Sequence, residues 1–297
     1  MQMECHRKMI IATHDGRFHA DEAFAIAALE RYLNKECQII RTRNKQKIAE
    51  ADFRIDVGMK YDPKSKDFDH HQGLSSRKNG VHFASFGLIW MEYGASICGG
   101  NSEIAEFVEK ELVYSIDAHD NGWQAVQNRD VSVGAYTISK MIEGLNQNWR
   151  LDFQEDEAFH EAIEIARRVL SCVIDFAKVA IESKTLVREA CEKAGSLPYV
   201  IVEEPNLPWE GSIYNFASPS ILYVIFTKRD GIWRLQCLEN NGIHRKSLPL
   251  GWRGLENASL AEETGAESAI FCLKNGFMIT AKSRDDIILL AEKAISS

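Results

Sequence analysis

Met9-Ile-Ile-Ala-Thr13 runs directly into His14-Asp-Gly-Arg-Phe-His19-Ala-Asp21-Glu22, and the reading of this junction decides the fold. The apolar run is short and reads as a buried strand. A polar loop follows, and residues 21–33 read as a helix, with acids in the first turn and apolar positions recurring at Phe24, Ala28 and Tyr32. Residues 38–43 and 53–57 look like second and third strands. This strand–helix–strand alternation predicts an α/β fold with a parallel sheet. Two further helices are expected at residues 83–94 and 102–116.

Around Gln154 the pattern changes. Phe159, Ala162, Ala166, Val169, Val173, Phe176 and Ala180 fall at helical spacing, and the run extends to Ala194 before Gly195. A helix of about 40 residues would span about 60 Å, so a break near Ser183 is expected. The helix reads as a connector. An N-terminal parallel-sheet domain, residues 1–152, precedes it, and residues 153–297 hold the helix and a smaller α/β domain. Strands are expected there at 199–202, 220–226, 233–238 and 269–271, and a last helix at 284–295.

Composition narrows the class. Of 297 residues, 45% are hydrophobic and 26% charged, an ordinary globular balance that argues against disorder. No run of about 18 apolar residues exists, so no membrane span or membrane partner is expected. The seven cysteines are scattered, odd in number and without a C-x-x-C pair, which favours reduced thiols over disulfides or a zinc ribbon. No signal-peptide pattern precedes Met9, and the head is too brief for a usual transit peptide, so a cytoplasmic location is the default. A net charge of −8 disfavours a generic nucleic-acid binder, though not a nuclease whose acids hold metals.

Four segments concentrate histidine and aspartate at expected element ends. They are residues 14–22, with His14, His19 and Asp21; Asp56-Val-Gly58; Asp69-His70-His71-Gln72; and Asp117-Ala-His119-Asp120-Asn121-Gly122. Three of them alone have an ordinary explanation, a polar loop with an acidic helix cap or a turn, whereas the adjacent histidines after Asp69 are costly in a folded protein without a partner. Together they supply several carboxylates and histidines to the carboxyl edge of a parallel sheet, where ligands bind. An empty cluster of carboxylates would repel itself, and two divalent cations would neutralise it. Mixed imidazole and carboxylate donors suit manganese, with cobalt, iron, zinc or magnesium as alternatives.

The order of these motifs resembles the DHH phosphoesterase superfamily, and more closely its Myg-type family, the melanocyte-proliferating-gene proteins. The resemblance runs through Phe83-Ala-Ser-Phe-Gly-Leu88, Leu145-Asn-Gln-Asn-Trp149 and Leu248-Pro-Leu-Gly-Trp252-Arg253-Gly254-Leu255, and so covers nearly the whole chain. It implies a DHH-type metal-binding catalytic domain followed by a substrate-binding domain. It implies metal ligation by His14, His19, Asp21, Asp56 and His70, with Asp117 favoured over Asp120 as the fourth-motif ligand. His71 would sit beside the metals and hold phosphate, and His71, Asp69 and Arg253 are the residues assigned to catalysis. Leu273 stands where family members tend to have histidine, and His119 where an apolar residue is more usual. Nucleus or mitochondrion are the alternative locations that the family suggests.

Phosphate chemistry also needs cations. Arg245, Lys246 and Arg253 are the candidates for substrate binding, Arg253 first because a guanidinium grips phosphate bidentately. Arg41-Thr-Arg43-Asn-Lys45-Gln-Lys47, if extended, would put four charges on one side. It would serve as a nucleic-acid track or as a charged sheet edge. Trp149 and Trp252 are core by default and candidates to flank a base. The expected activity is metal-dependent phosphodiester hydrolysis, a 3′–5′ exonuclease on RNA or short oligonucleotides, the direction and substrate coming from the resemblance alone. The alternatives are a pyrophosphatase or dinucleotide phosphodiesterase, and a non-catalytic partner-binding relative. The oligomeric state is left open.

Overall fold

The computed structural model describes residues 7–73, 76–123, 135–147 and 152–297. They fall into two compact units, Met1–Lys178 and Val179–Ser297. The first is built on strands β1 (Ile10–Thr13), β2 (Gln38–Arg41), β3 (Phe53–Ile55), β4 (Tyr61–Asp62) and β5 (Asp67–Phe68). Their order in the sheet is β2-β1-β3-β5-β4. β1 pairs in parallel with both β2 and β3, and β3 in parallel with β5; β4 is an antiparallel edge. The parallel pairing follows from the alternation of strands and helices, whereas β4 and β5 are two residues each and too short to leave a period. The chain leaves β1 towards β2 and then crosses to β3. The carboxyl ends of β1 and β3 therefore face a switch point of the sheet, where the crevice for a ligand lies.

Helix α1 (Ala20–Leu33) begins at His19, whose N–H donates to the Glu22 carboxylate at 2.8 Å, and ends at Asn34 in the left-handed conformation. Residues 20–30 are all buried. Five alanines in this stretch let the sheet and helix α3 (Ser85–Ile97) approach α1 closely. On the other sheet face, Ile48 and Ala51 pack against Ile10, Ala12 and Val57. Ile48 belongs to helix α2 (Lys45–Glu50), capped by Asn44, whose Oδ1 accepts from the N–H groups of Gln46 and Lys47. Residues 41–47 are therefore not one extended basic edge. Arg41 is a buried tie within the unit: Nη2 donates to Gly16 O, and Nη1 lies 2.7 Å from Glu155 Oε1.

The run expected as one helix at 102–116 is α4 (Ser102–Val108), a π-helical turn Glu109–Val113, and α5 (Tyr114–Asp120). The π turn shifts the phase of the ladder, and with it the direction of every α5 side chain. Helix α6 (Ile138–Glu143) follows, then α7 (Glu155–Ala194). α7 is unbroken at Ser183, whose hydroxyl donates to Pro208 O at 2.8 Å, so the expected interruption is absent.

The second unit holds β6 (Tyr199–Val202), β7 (Tyr223–Thr227), β8 (Trp233–Cys237), the small hairpin β9 (Glu239–Asn240) and β10 (Ile243–His244), helix α8 (Asn257–Thr264), β11 (Ala269–Cys272), β12 (Met278–Ala281) and α9 (Arg284–Ser296). Its main sheet runs β11-β12-β8-β7-β6, with only β6 and β7 parallel. Alternation along β7 sends Tyr223 and Ile225 to a core with Leu260 and Leu290, and Val224 and Phe226 to a core with Trp209 and Val187. Trp252 is 6% exposed in the first of these cores, so it is not a base platform; Trp149 lies outside the described residues. Among the described residues no helix is long and apolar enough to cross a membrane.

Candidate metal centre

Five element ends meet at the carboxyl edge of the first sheet. His14 follows β1, Asp56 follows β3, and His70 and His71 follow β5. Asp120 closes α5, and Asp21 and Glu22 occupy the first turn of α1. Asp56 sits at φ 55°, a left-handed conformation that aspartate tolerates better than most residues. Its carboxylate lies among three imidazoles: 3.3 Å from His14 Nε2, 3.4 Å from His70 Nε2 and 3.4 Å from His71 Nδ1. Glu22 Oε1 stands 3.2 Å from His14 Nε2, and Asp120 Oδ2 stands 3.2 Å from His70 Nε2. His19 Nδ1 is 3.8 Å from Asp120 Oδ1.

Donor atoms group within 4.8 Å as His14, His19, Glu22 and Asp56; as Asp56, His70 and His71; and as His19, Asp21 and Asp120. Asp56 and His19 are each shared between two groups, a layout that fits more than one cation. The pocket over them has a volume of about 310 Å³. Two carboxylate oxygens, Asp21 Oδ1 and Glu22 Oε2, are buried with no hydrogen-bond donor among the described residues. A buried unpaired carboxylate oxygen is costly, and a divalent cation would remove that cost. On these grounds the donor set fits divalent metal.

Electrostatics couple the groups. Burial alone would lower the His14 and His70 pKa, but the neighbouring carboxylates outweigh it and push each up to about 10. Burial likewise opposes ionisation of Asp56, yet His14 and His70 hold it well below the usual carboxylate range. Asp21 moves the other way: burial, then the charges of Asp120, Asp56 and Glu22, raise it well above its ordinary value. The expectation of a self-repelling empty cluster thus holds for Asp21 but not for Asp56, which histidines neutralise.

Surrounding groups fix the orientation. His14 Nδ1 lies 3.1 Å from Asp15 O, which turns Nε2 towards Asp56. Ser85, at the start of α3, donates from Oγ to Asp56 Oδ1 at 3.1 Å and from its N–H to Asp21 Oδ2 at 3.3 Å. Asn146 grips Phe18 from both sides, accepting from its N–H at 3.0 Å and donating to its O at 2.9 Å, and so anchors the loop that carries His19. Asp69 is buried and accepts from the N–H groups of Met59 and His71 and from His71 Nδ1, the last at 2.8 Å. Its carboxylate thus holds both the backbone and the ring of His71.

Of the residues singled out in the sequence, His14, His19, Asp21, Asp56, His70, His71 and Asp120 come together here. Asp117 does not. Its carboxylate lies 2.7 Å from Arg77 Nη2 and accepts from the Gly87 N–H at 3.0 Å. Burial raises its pKa to about 7 against the pull of Arg77. A Cβ at position 87 would overlap both Asp117 and Arg77, so this pair depends on the glycine. Glu22, Ser85 and Asn146 were not singled out. Glu22 reads as a helix-cap acid, while Ser85 and Asn146 lay inside quoted motifs without a role.

The three candidate phosphate cations are tied into the second unit. Arg245 Nη1 donates to Ser218 O and Ile221 O, both at 2.7 Å. Lys246 Nζ donates to Ile295 O at 2.7 Å. Arg253 donates from Nε and Nη2 to Leu248 O and lies against Gly276, where a Cβ would stand 2.5 Å from Nε. Their donors serve local backbone carbonyls, which sequence spacing does not reveal.

Fold and site together define an α/β protein with a mixed histidine and carboxylate cluster at the switch point of a parallel-containing sheet. A family model described as "Uncharacterised protein family (UPF0160)" matches residues 10–295, and the chain belongs to that family. It is 31% identical to the "MYG1 exonuclease" of Bos taurus over 96% of this chain and 84% of that protein. It is 29% identical to the "MYG1 exonuclease" of Homo sapiens, covering 96% and 85%. A MYG1 protein of Schizosaccharomyces pombe is 30% identical, covering 96% and 97%. Among solved structures, a "pGpG-specific phosphodiesterase" from Vibrio aligns over 97% of each chain at 12% identity with a TM-score of 0.34.

Proposed function

We propose that this protein is a divalent-metal-dependent phosphoesterase of the DHH type, an exonuclease that hydrolyses RNA or short oligonucleotides in the 3′–5′ direction. The observation that carries this reading is the convergence of His14, His19, Asp21, Glu22, Asp56, His70 and Asp120 from separate segments, with two buried carboxylate oxygens lacking donors. The mammalian relatives, which are named as exonucleases, support it. Residues 1–152 serve in it as the catalytic domain and residues 153–297 as the connecting helix and substrate-binding domain. A cytoplasmic setting and manganese are part of the same reading; the six described cysteines are all free thiols, in keeping with a reducing compartment.

Cations held by these side chains would supply Lewis-acid activation of water and neutralise charge on the phosphoryl oxygens. The chain's own residues do the rest. Asp69 fixes the His71 ring through Nδ1, which leaves Nε2 to donate to a phosphoryl oxygen as charge builds there. His71 is 52% exposed at its side chain, so a substrate can reach it. Asp15 O and Ser85 hold His14 and Asp56 in their ligating orientations. The test is metal-free protein resupplied with manganese and offered end-labelled single-stranded RNA, a dinucleotide and pyrophosphate. Successive shortening of the RNA from its 3′ end is expected. No turnover of any of the three, with manganese demonstrably bound, would overturn the reading.

A further inference from the structure

A groove of about 1210 Å³ leads away from the cluster, wholly within the first unit. His14, His19, Asp56 and His71 form its inner end. Its floor is apolar, from Ile48, Val57 and Met59, and its rim carries Arg17, Arg43, Lys45 and Lys60. Met59 is 62% exposed yet fixed: its φ is 56° and its N–H donates to Asp69 Oδ2 at 2.7 Å. An exposed apolar side chain on a clamped backbone is a contact surface, not a loose loop tip.

The cations on the rim are not equivalent. Arg43 is held by Asp15 at 2.6 Å, Lys60 by Asp62 at 3.0 Å, and Arg17 lies 3.6 Å from Glu143. Lys45 has no carboxylate partner among the described residues and is exposed. A positive rim over an apolar floor matches a strand of phosphates and bases. Pyrophosphate needs neither the floor nor so long a groove, since the pocket over the cluster already measures about 310 Å³.

We propose that this groove is the track for the nucleotides adjoining the scissile phosphate, with Lys45 contacting a backbone phosphate and Met59 packing against a base. The substrate is then a single-stranded oligonucleotide that extends past the cluster over α2, and this rests on the phosphoesterase reading above. Lys45 and Met59 determine specificity for length and take no part in the chemical step.

The experiment measures binding of a fluorescein-labelled, phosphorothioate-linked RNA hexanucleotide to the full chain with manganese present, over a range of salt. The proteins are the parent, Lys45→Glu and Met59→Ser, both changes lying at exposed side chains outside the cluster. Lys45→Glu should raise Kd about tenfold and flatten the slope of log K against log salt by about one unit, because one phosphate contact is lost. Met59→Ser should raise Kd about fivefold through lost contact with a base. Manganese affinity should stay the same in both. Unchanged Kd in both variants, or no binding of the hexanucleotide by the parent, overturns the groove. If the parent binds the strand through these residues but cleaves no phosphodiester with manganese bound, the groove stands and the phosphoesterase reading falls. If it cleaves pyrophosphate and binds no strand, the reverse holds.

Discussion

Asp56 Oδ2 stands 3.3 Å from His14 Nε2, and this pair bridges the carboxyl ends of the adjacent parallel strands β1 and β3. The second oxygen of Asp56 faces His70 and His71, both at 3.4 Å, and accepts from Ser85 Oγ. One carboxylate therefore joins three separate strand ends and the start of a helix. Its charge is matched in the metal-free protein, because His14 and His70 retain their protons.

Asp56→Asn should accordingly destabilise the metal-free protein. The substitution keeps the size and the Ser85 contact but removes one of the two carboxylates that face each of the imidazoles His14 and His70, leaving Glu22 and Asp120, at a cost of about 1–3 kcal/mol. Manganese should stabilise the parent by about 2.7 kcal/mol at a hundred times the dissociation constant, and the variant by much less. Melting curves in chelator and in manganese measure both. A variant that melts with or above the parent in chelator would show that Asp56 is not the charge partner of these histidines.

Asp117 and Asp120 should separate cleanly. Asp120→Asn should weaken manganese binding, because Asp120 faces His70 and His19. Asp117→Asn should leave the metal stoichiometry intact, because Asp117 faces Arg77 and the Gly87 N–H. Gly87→Ala should destabilise by about 1–3 kcal/mol through overpacking against that pair. Metal titrations followed by mass spectrometry or calorimetry decide between the two aspartates. Loss of metal in Asp117→Asn, with the fold retained, would return that residue to the ligand set.

The same two residues show what could be seen in the sequence. The ends of β1 and β3 were legible because His14 and Asp56 each close a strand-like run that has to be buried, whereas His70 stood out only as one of two adjacent histidines after an aspartate. The choice between Asp117 and Asp120 was not, because it depends on helical phase, and the π turn Glu109–Val113 resets that phase without a marker of its own. Glu22 was hidden because an acid in the first turn of a helix has a sufficient local explanation. Asn146 acts on the backbone of Phe18, and no side-chain pattern reports such a pairing. α2 escaped because six residues give too little period, and its lysines continue the alternation begun at Arg41. Arg245, Lys246 and Arg253 looked available only because their carbonyl partners lie elsewhere in the chain.

Metal uptake should be coupled to proton release. His14 and His70 have pKa values pushed up to about 10 by their carboxylate neighbours, so both are protonated at neutral pH without metal. A ligating imidazole must lose its proton, so manganese binding near pH 7.5 should release about two protons, and affinity should climb with pH. The metal-free fold has the opposite dependence. Both folded values exceed the unfolded value of 6.5, so the stabilisation is present in full below that pH and is lost as the pH rises towards 10. Calorimetry in two buffers of different protonation heat counts the protons. Binding without release would remove His14 and His70 from the ligand set.

Asp69 should act on turnover through His71 alone. It touches no other group of the cluster: its oxygens take the His71 N–H, His71 Nδ1 and the Met59 N–H. His71→Ala should keep manganese, since Asp56 retains His14 and His70, and should lower kcat by about 10²–10³, the usual loss for one donor to a developing oxyanion. Asp69→Asn alone should lower kcat by a smaller factor, because the ring remains but its orientation relaxes. In the His71→Ala background the same Asp69→Asn change should cost almost nothing further in kcat, since the ring it orients is gone. It should still lower the melting temperature there, because the Met59 N–H loses a charged acceptor, worth about 1.5–3 kcal/mol. A double-mutant cycle on kcat, run beside melting curves of the four proteins, separates the two effects. If the kcat losses multiply, Asp69 reaches the substrate or the metals by a route that does not pass through His71.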